Sequence, residues 1–257
     1  MIEVEWWRLK AAEINALAAR DAVVIVPVGS TEQHGPHLPT QVDALLAGEI
    51  SRRAARRIAA TTPVVVTPTV WSGLAEHHMS LGGTLSLDFR AFFALLQCLC
   101  RSLVRQGFRR ILILNGHGGN ITALNVVVNE LAVELQIPLA ATTYWVLGKD
   151  SFAKILERQT TVRHACEAET SMLLALAPNL VDMTRAGDIV GPTEREVAQV
   201  VGNDGVHRWR SFRSRTSHGV IGDPRTATAE KGERLLEAAA EAVAGLCANT
   251  EFWAIPA

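Results

Sequence analysis

A chain of 257 residues with 25 Lys and Arg against 26 Asp and Glu carries a formal net charge of −1, which points to neither nucleic acid nor an anionic membrane as partner. At 48% hydrophobic residues it can bury the core of one large α/β domain over 1–257, and it has no apolar run long enough to span a bilayer. Glu3 and Glu5 ahead of a Trp pair are unlike a signal peptide, and Cys98, Cys100, Cys166 and Cys247 form no Cys-x-x-Cys pair, so a cytoplasmic, reducing setting is expected.

Residues 2–20 read as partly helical, with Trp6, Trp7, Leu9, Ile14 and Leu17 as packing candidates and the tryptophans equally suited to a subunit contact. Ala22 to Val28 is a short apolar run rich in Val and Ile, the pattern of a buried parallel strand, and Gly29 ends it. From there VPVGSTEQHGPHLPTQVD, Val26 to Asp43, delivers Glu32, His34, His37 and Asp43. Glu32 and His34, two residues apart, point the same way if the backbone stays extended. Carboxylates and an imidazole are ligands for zinc, manganese or iron. By itself the same loop could be merely polar, with Asp43 capping the next helix. That helix runs to about Ala60 on Leu46, Ile50, Ala54 and Ile58, leaving Arg52, Arg53, Arg56 and Arg57 as a solvated face. Pro63 to Thr67 is a second strand.

Trp71 to Thr84 reads as a flexible glycine-containing loop, with Glu76, His77 and Ser80 as candidates for a substrate wall; the alternative for His77 and His78 is hydrogen bonding to backbone. Ser86 or Asp88 starts a helix with Phe92, Leu95, Leu96, Leu99 and Leu103 inside, stopped by Gly107. Ile111 to Leu114 is a third strand, opening into NGHGGN, Asn115 to Asn120, and a helix of about 15 residues. The glycines around His117 could cradle a phosphate, but the Lys and Ser/Thr of a P-loop are missing. Pro138 to Tyr144 is a fourth strand. Past a short helix at Ser151 to Arg158, HACEAETS, His164 to Ser171, leads into the apolar helix Met172 to Ala177; Glu169 can reach a site, while Glu167 is expected to face solvent. Beyond Pro178 the chain is irregular to Pro224, with His207, Trp209 and His218 inside it, and Thr226 or Thr228 starts a helix through Ala248. This alternation argues for one layered α/β domain.

Glu32, His34, Asp43, His117 and Glu169 thus gather beyond strand ends or at a helix start. Two histidines and three carboxylates suffice for two divalent ions if one carboxylate bridges them. Ions roughly 3.5–4 Å apart can share a water, bring its pKa towards neutrality and polarise a carbonyl, a combination that hydrolyses amides.

PVGSTEQHGPHLP, Asp43, NGHGGN, HACEAETS and GVIGDPRTATAEKG, in that order, resemble the creatininase, or creatinine amidohydrolase, family. The resemblance implies a three-layer αβα fold with a mostly parallel central sheet, two divalent ions (Zn, Mn or Fe), hydrolysis of a non-peptide C–N bond in a small amide, formamide or lactam, and a homo-oligomer, often a hexamer built from dimers. By motif, Glu32 and His117 would hold one ion, His34 the other, and Asp43 would bridge; His164 matches the histidine that passes a proton to the departing nitrogen. Gly118 and Gly119 stand where true creatininases carry an aromatic residue and a metal-ligating glutamate. Glu169 is therefore expected to complete the second shell and to belong to the catalytic set with His164, and Gly118 to border the substrate. A family tryptophan shortly before the catalytic histidine is also missing, with Thr160 to Arg163 in its place, so creatinine is not the expected substrate. Relatives of the glycine version act on formamides of opened purines or pyrimidines, trim a peptide-derived cofactor precursor, or hydrolyse cyclic ketones. The alternatives are a peptidase of that second kind and a non-catalytic, metal-binding oligomeric scaffold.

Overall fold

Strands β1 (Val23–Val28), β2 (Val64–Val66), β3 (Arg110–Asn115) and β4 (Leu139–Thr143) pair in parallel in the order β2-β1-β3-β4. The structure is a computed structural model and describes residues 2–192, 196 and 208–254; His207 lies outside them. Register sets the site, because Val28, Asn115 and Thr143 lie side by side and their strands end at one level.

Period-two alternation divides the sheet's side chains between two cores. Val23, Ile25, Leu112 and Leu114 pack on one face beneath α2 (Val42–Ile58), α7 (Glu167–Leu176) and the long α9 (Ala229–Ala248). The short α5 (Tyr144–Leu147) and α6 (Lys149–Ile155) join that layer, and α8 (Met183–Ala186) lies beyond α7. Val24, Val26, Ile111 and Ile113 pack on the opposite face against α1 (Ala11–Ala19), α3 (Phe89–Arg105) and α4 (Ile121–Leu135). The molecule is therefore a three-layer α/β structure with a parallel sheet, as expected. Among the described residues no helix is long and apolar enough to cross a membrane.

Three expectations are corrected. Leu95 and Leu99 of α3 are exposed, because the helix buries the single stripe Phe92, Leu96, Cys100 and Leu103 against one sheet face. The α2 arginines are not simply solvated: Arg53 bonds Glu49, Glu233 and Glu237 at 2.9, 2.5 and 2.8 Å, and Arg57 pairs with Glu237, tying α2 to α9. Glu167 is fully buried rather than facing solvent. Helix α7 begins at Glu167 itself, and α9 lies over it. The Glu167 carboxylate accepts from the backbone N–H of Arg158 at 2.9 Å and from Lys231 Nζ at 2.8 Å.

That buried pair has a measurable consequence. Glu167→Gln should lower stability by about 1.5–3 kcal/mol, the range for hydrogen bonds to a charged group, with Lys231 Nζ keeping Glu157 at 2.8 Å and the Thr226 carbonyl at 2.6 Å. Urea unfolding of the single variants and of Glu167→Gln/Lys231→Met measures it, and the double variant should lose less than the two singles together.

The crossing of α7 and α9 depends on Gly232. A Cβ there would sit 1.9 Å from the Ser171 carbonyl oxygen, backbone that cannot step aside. Gly232→Ala gains about 1 kcal/mol of helix propensity but meets overpacking of about 1–3 kcal/mol. Because the obstacle is main chain, overpacking should dominate, and the urea midpoint should fall.

Candidate metal centre

The site is assembled where β1, β3 and the start of α7 meet the first turn of α2. Asp43 lies in that first turn and is 2% exposed. Its Oδ1 is 3.1 Å from His34 Nε2, and its Oδ2 is 2.9 Å from His117 Nδ1. Glu32 Oε2 approaches the same His117 nitrogen at 3.0 Å, and Glu169 Oε2 lies 3.8 Å from His34 Nε2. Two triads result, Glu32–Asp43–His117 and His34–Asp43–Glu169, each with donor atoms within 4.8 Å of one another and sharing Asp43. A third grouping, Glu32–His34–His164, overlaps both.

Surrounding hydrogen bonds aim these donors. His34 Nδ1 donates to the Glu32 carbonyl at 3.1 Å, which turns Nε2 toward Asp43. His117 Nε2 donates to the Leu74 carbonyl at 3.2 Å and leaves Nδ1 facing the carboxylates. Asn115 holds the His117 backbone from both ends, donating to its carbonyl at 2.7 Å and accepting from its N–H at 3.1 Å. Ala165 N–H donates to Glu169 Oε2 at 2.6 Å from a left-handed residue, φ 54°. Glu169 thus stands in the first turn of α7, not on a spacer before it.

The donor set fits divalent cations. Glu32 Oε2, His34 Nε2 and Asp43 Oδ2 are buried without a hydrogen-bond partner despite close approaches to His117 Nδ1 and Asp43 Oδ1. Burial raises the Glu169 carboxyl to about 8, the nearby Asp43 and Glu32 charges adding to it against His34 and the Ala165 N–H. Burial also raises Glu32. For Asp43 burial works the same way, but His34 and His117 outweigh it and hold the group below the usual carboxylate range. Imidazolium protons thus offset carboxylate repulsion here, and a cation taking the same nitrogens and oxygens would displace them. Mixed imidazole and carboxylate donors suit Zn, Mn or Fe.

Position 119 itself has no room for a carboxylate. A Cβ on Gly119 would lie 2.4 Å from both His117 Nε2 and the Leu74 carbonyl oxygen, so no side chain fits between them. Glu169 approaches His34 from the other core layer, at 3.8 Å.

His164 stands beside the triads. Its Nε2 donates to the Gln33 carbonyl at 2.7 Å, leaving Nδ1 3.5 Å from Glu32 Oε1, and its ring lies 4.2 Å from that of His34. A cavity of about 1000 Å³ opens over these groups, and Glu76, His77 and Gly118 line it. Ser80 is exposed and is not part of that lining; the 3-10 turn Glu76–Leu81 directs it outward, and its carbonyl accepts from Arg213. His37 is buried apart from the triads, bonded to Thr170 Oγ1 at 2.9 Å, with burial and the His34 charge pushing it down to about 4.

Sequence reasoning left Gln33 and Phe212 out of the site and took His78 no further than its loop. His78 is buried with Nε2 3.3 Å from Glu32 Oε1, and its Nδ1 contacts the Gln33 side-chain amide at 2.8 Å. Phe212 stacks on His78 at 4.1 Å. The adjacent histidines at 77 and 78 were the available signal, but nothing local tells which of the two turns inward.

Comparison with known proteins gives a consistent picture. A family model described as creatinine amidohydrolase matches residues 7–247. The mycofactocin precursor peptide peptidase of Mycolicibacterium smegmatis is 33% identical over 90% of this chain and 85% of its own length. The creatinine amidohydrolase of Pseudomonas putida is 32% identical over 94% of this chain and 93% of its own. The 3-dehydro-scyllo-inosose hydrolase of Thermotoga maritima is 32% identical over 65% of this chain and 54% of its own. Among solved structures, a manganese creatininase superposes with TM-score 0.81 at 28% identity, covering 95% of this chain and 97% of that one. A mutant creatininase of Zn–Zn type gives 0.80 at 28% identity with the same coverage.

Proposed function

This chain belongs to the creatininase family, and from that premise we propose that it is a two-metal amidohydrolase acting on a non-peptide amide, formamide or lactam bond of a small molecule. The observation that carries the reading is the pair of donor triads sharing Asp43 beneath an open cavity. Glu32, His117 and Asp43 would hold one ion; His34, Glu169 and Asp43 would hold the other. When bound, such ions supply Lewis acidity toward a carbonyl oxygen and a water ionised near neutral pH.

The chain's own groups do the rest. Asp43, held below the usual carboxylate range by His34 and His117, keeps negative charge on the cavity floor. His164, held by the Gln33 carbonyl, presents Nδ1 to the cavity and is placed to carry a proton to the departing nitrogen. Glu76, His77 and Gly118 border the space a substrate would fill. The substitution of Gly for Glu at 119, and of Thr160 to Arg163 for the tryptophan segment, supports a substrate other than creatinine.

Cleavage of a peptide-derived cofactor precursor is the second reading. It is favoured by the Mycolicibacterium smegmatis relative and by a cavity roomier than a single small ring needs. We also read the chain as one functional unit and as a cytoplasmic homo-oligomer: its four cysteines are all free, and Trp71, Leu85 and Phe89 expose large apolar surfaces.

Elemental analysis, followed by a screen of formamides, lactams, ureas and short peptides on the metal-loaded protein, tests the reading. Two ions per chain and turnover of a non-peptide amide would bear it out. Turnover of peptides alone would favour the second reading. A single, coordinatively closed ion with no turnover would leave a metal-binding scaffold.

A further inference from the structure

Two arginines on the cavity wall lack a counter-charge among the described residues. Arg210 and Arg215 flank the 3-10 turn Phe212–Ser214 and line the cavity together with the exposed Trp209, so this segment borders its mouth. The Arg215 guanidinium lies over the Phe212 ring, 5.9 Å from its centroid, and that ring rests against His78 at 4.1 Å and His164 at 4.6 Å. One aromatic ring therefore separates this guanidinium from histidines that touch Glu32.

Neither side chain is satisfied. Among the described residues the Nε atoms of both arginines are buried without a hydrogen-bond partner, and Arg215 Nη2 makes a long bond to the Arg210 carbonyl at 3.4 Å. Other arginines here, such as Arg53, Arg57 and Arg225, are paired with carboxylates. Of the acids lining the same cavity, Glu32, Asp43 and Glu169 belong to the donor triads, Asp88 caps α3 by accepting from Ala91 N–H at 2.8 Å, and Glu76 is exposed and forms no ion pair with either arginine. Burial and the neighbouring Arg210 charge push Arg215 below the usual guanidinium range. Two half-buried like charges on one wall are costly unless a bound group brings negative oxygens to them. The planar guanidinium fork matches the two oxygens of a carboxylate or phosphate.

We propose that Arg210 and Arg215 form an anion subsite, and that the amide hydrolysed at the donor triads carries a carboxylate or phosphate remote from the scissile bond. The proposal rests on the hydrolase reading above and adds a substrate class to it. A cavity of about 1000 Å³ leaves room for both ends of such a molecule.

Calorimetric titration of the full-length, metal-loaded protein tests it. The probes are N-formylglycine, its neutral counterpart N-formylglycinamide, and N-formyl-2-aminoethyl phosphate. One charged probe should bind about tenfold or more tighter than the neutral one, and which of the two gains separates carboxylate from phosphate. Arg210→Gln/Arg215→Gln should reduce the preference to about twofold or less. Its metal content and circular dichroism should match those of the unaltered chain. Arg215→Lys, which keeps the charge but loses the fork, should retain part of the preference. Equal binding of charged and neutral probes, no saturable binding of either charged probe, or a preference that survives the double substitution would each overturn the proposal. Binding is read without turnover, so the two readings fail separately. Anion preference without hydrolysis removes the hydrolase and keeps the subsite, and hydrolysis without anion preference does the reverse.

Discussion

Asp43→Asn should leave the purified protein with less than one divalent ion per chain and depress turnover by more than about a hundredfold. Substitution of outer partners of metal ligands already costs about 10–100-fold, and Asp43 is common to both triads. The side chain keeps its size, so the fold should survive, but an amide would offer one neutral oxygen where Asp43, as a ligand common to both triads, would supply a charged carboxylate. His34 and His117 would also lose the carboxylate they approach at 3.1 and 2.9 Å. Elemental analysis beside far-UV circular dichroism decides the matter. Two ions retained in a folded variant would show that Asp43 does not bridge.

His164→Ala should behave differently, with turnover falling by about 10²–10⁴-fold and both ions retained. The contrast has value because His164 also belongs to a possible third donor group with Glu32 and His34. If it were a ligand, its removal would cost an ion together with activity. If it serves as proton carrier, metal content stays and the loss appears in kcat. Unchanged turnover on the true substrate would remove it from the mechanism.

The strands were the most legible part of the chain. A strand covered by helices on both faces is apolar at every position, so Ala22 to Val28 announces itself, and the structure begins it one residue later. Glu32, His34, Asp43 and His117 stood out for a related reason: polar donors directly after such runs are conspicuous. Motif resemblance, more than spacing, supplied their pairing and the interest in His164. What stayed hidden was set by distant partners. Glu167 looked like a surface residue because its cover, α9 with Lys231, comes more than sixty positions later. Two apolar stripes overlap on α3, and only the sheet beneath decides that 92, 96, 100 and 103 win over 95 and 99. Phe212, Arg210 and Arg215 lie in an irregular stretch without periodicity, so nothing in the local pattern connects them to histidines as far back in the chain as His78 and His164.

The donors are strung along the polypeptide from residue 32 to residue 169, and α7, which carries the last of them, is held in place by a helix that begins at residue 229. During biosynthesis the amino-terminal strands emerge long before a complete coordination set can exist. Cation capture would therefore belong to the closing stage of maturation, once α9 has seated α7 and brought Glu169 beside His34.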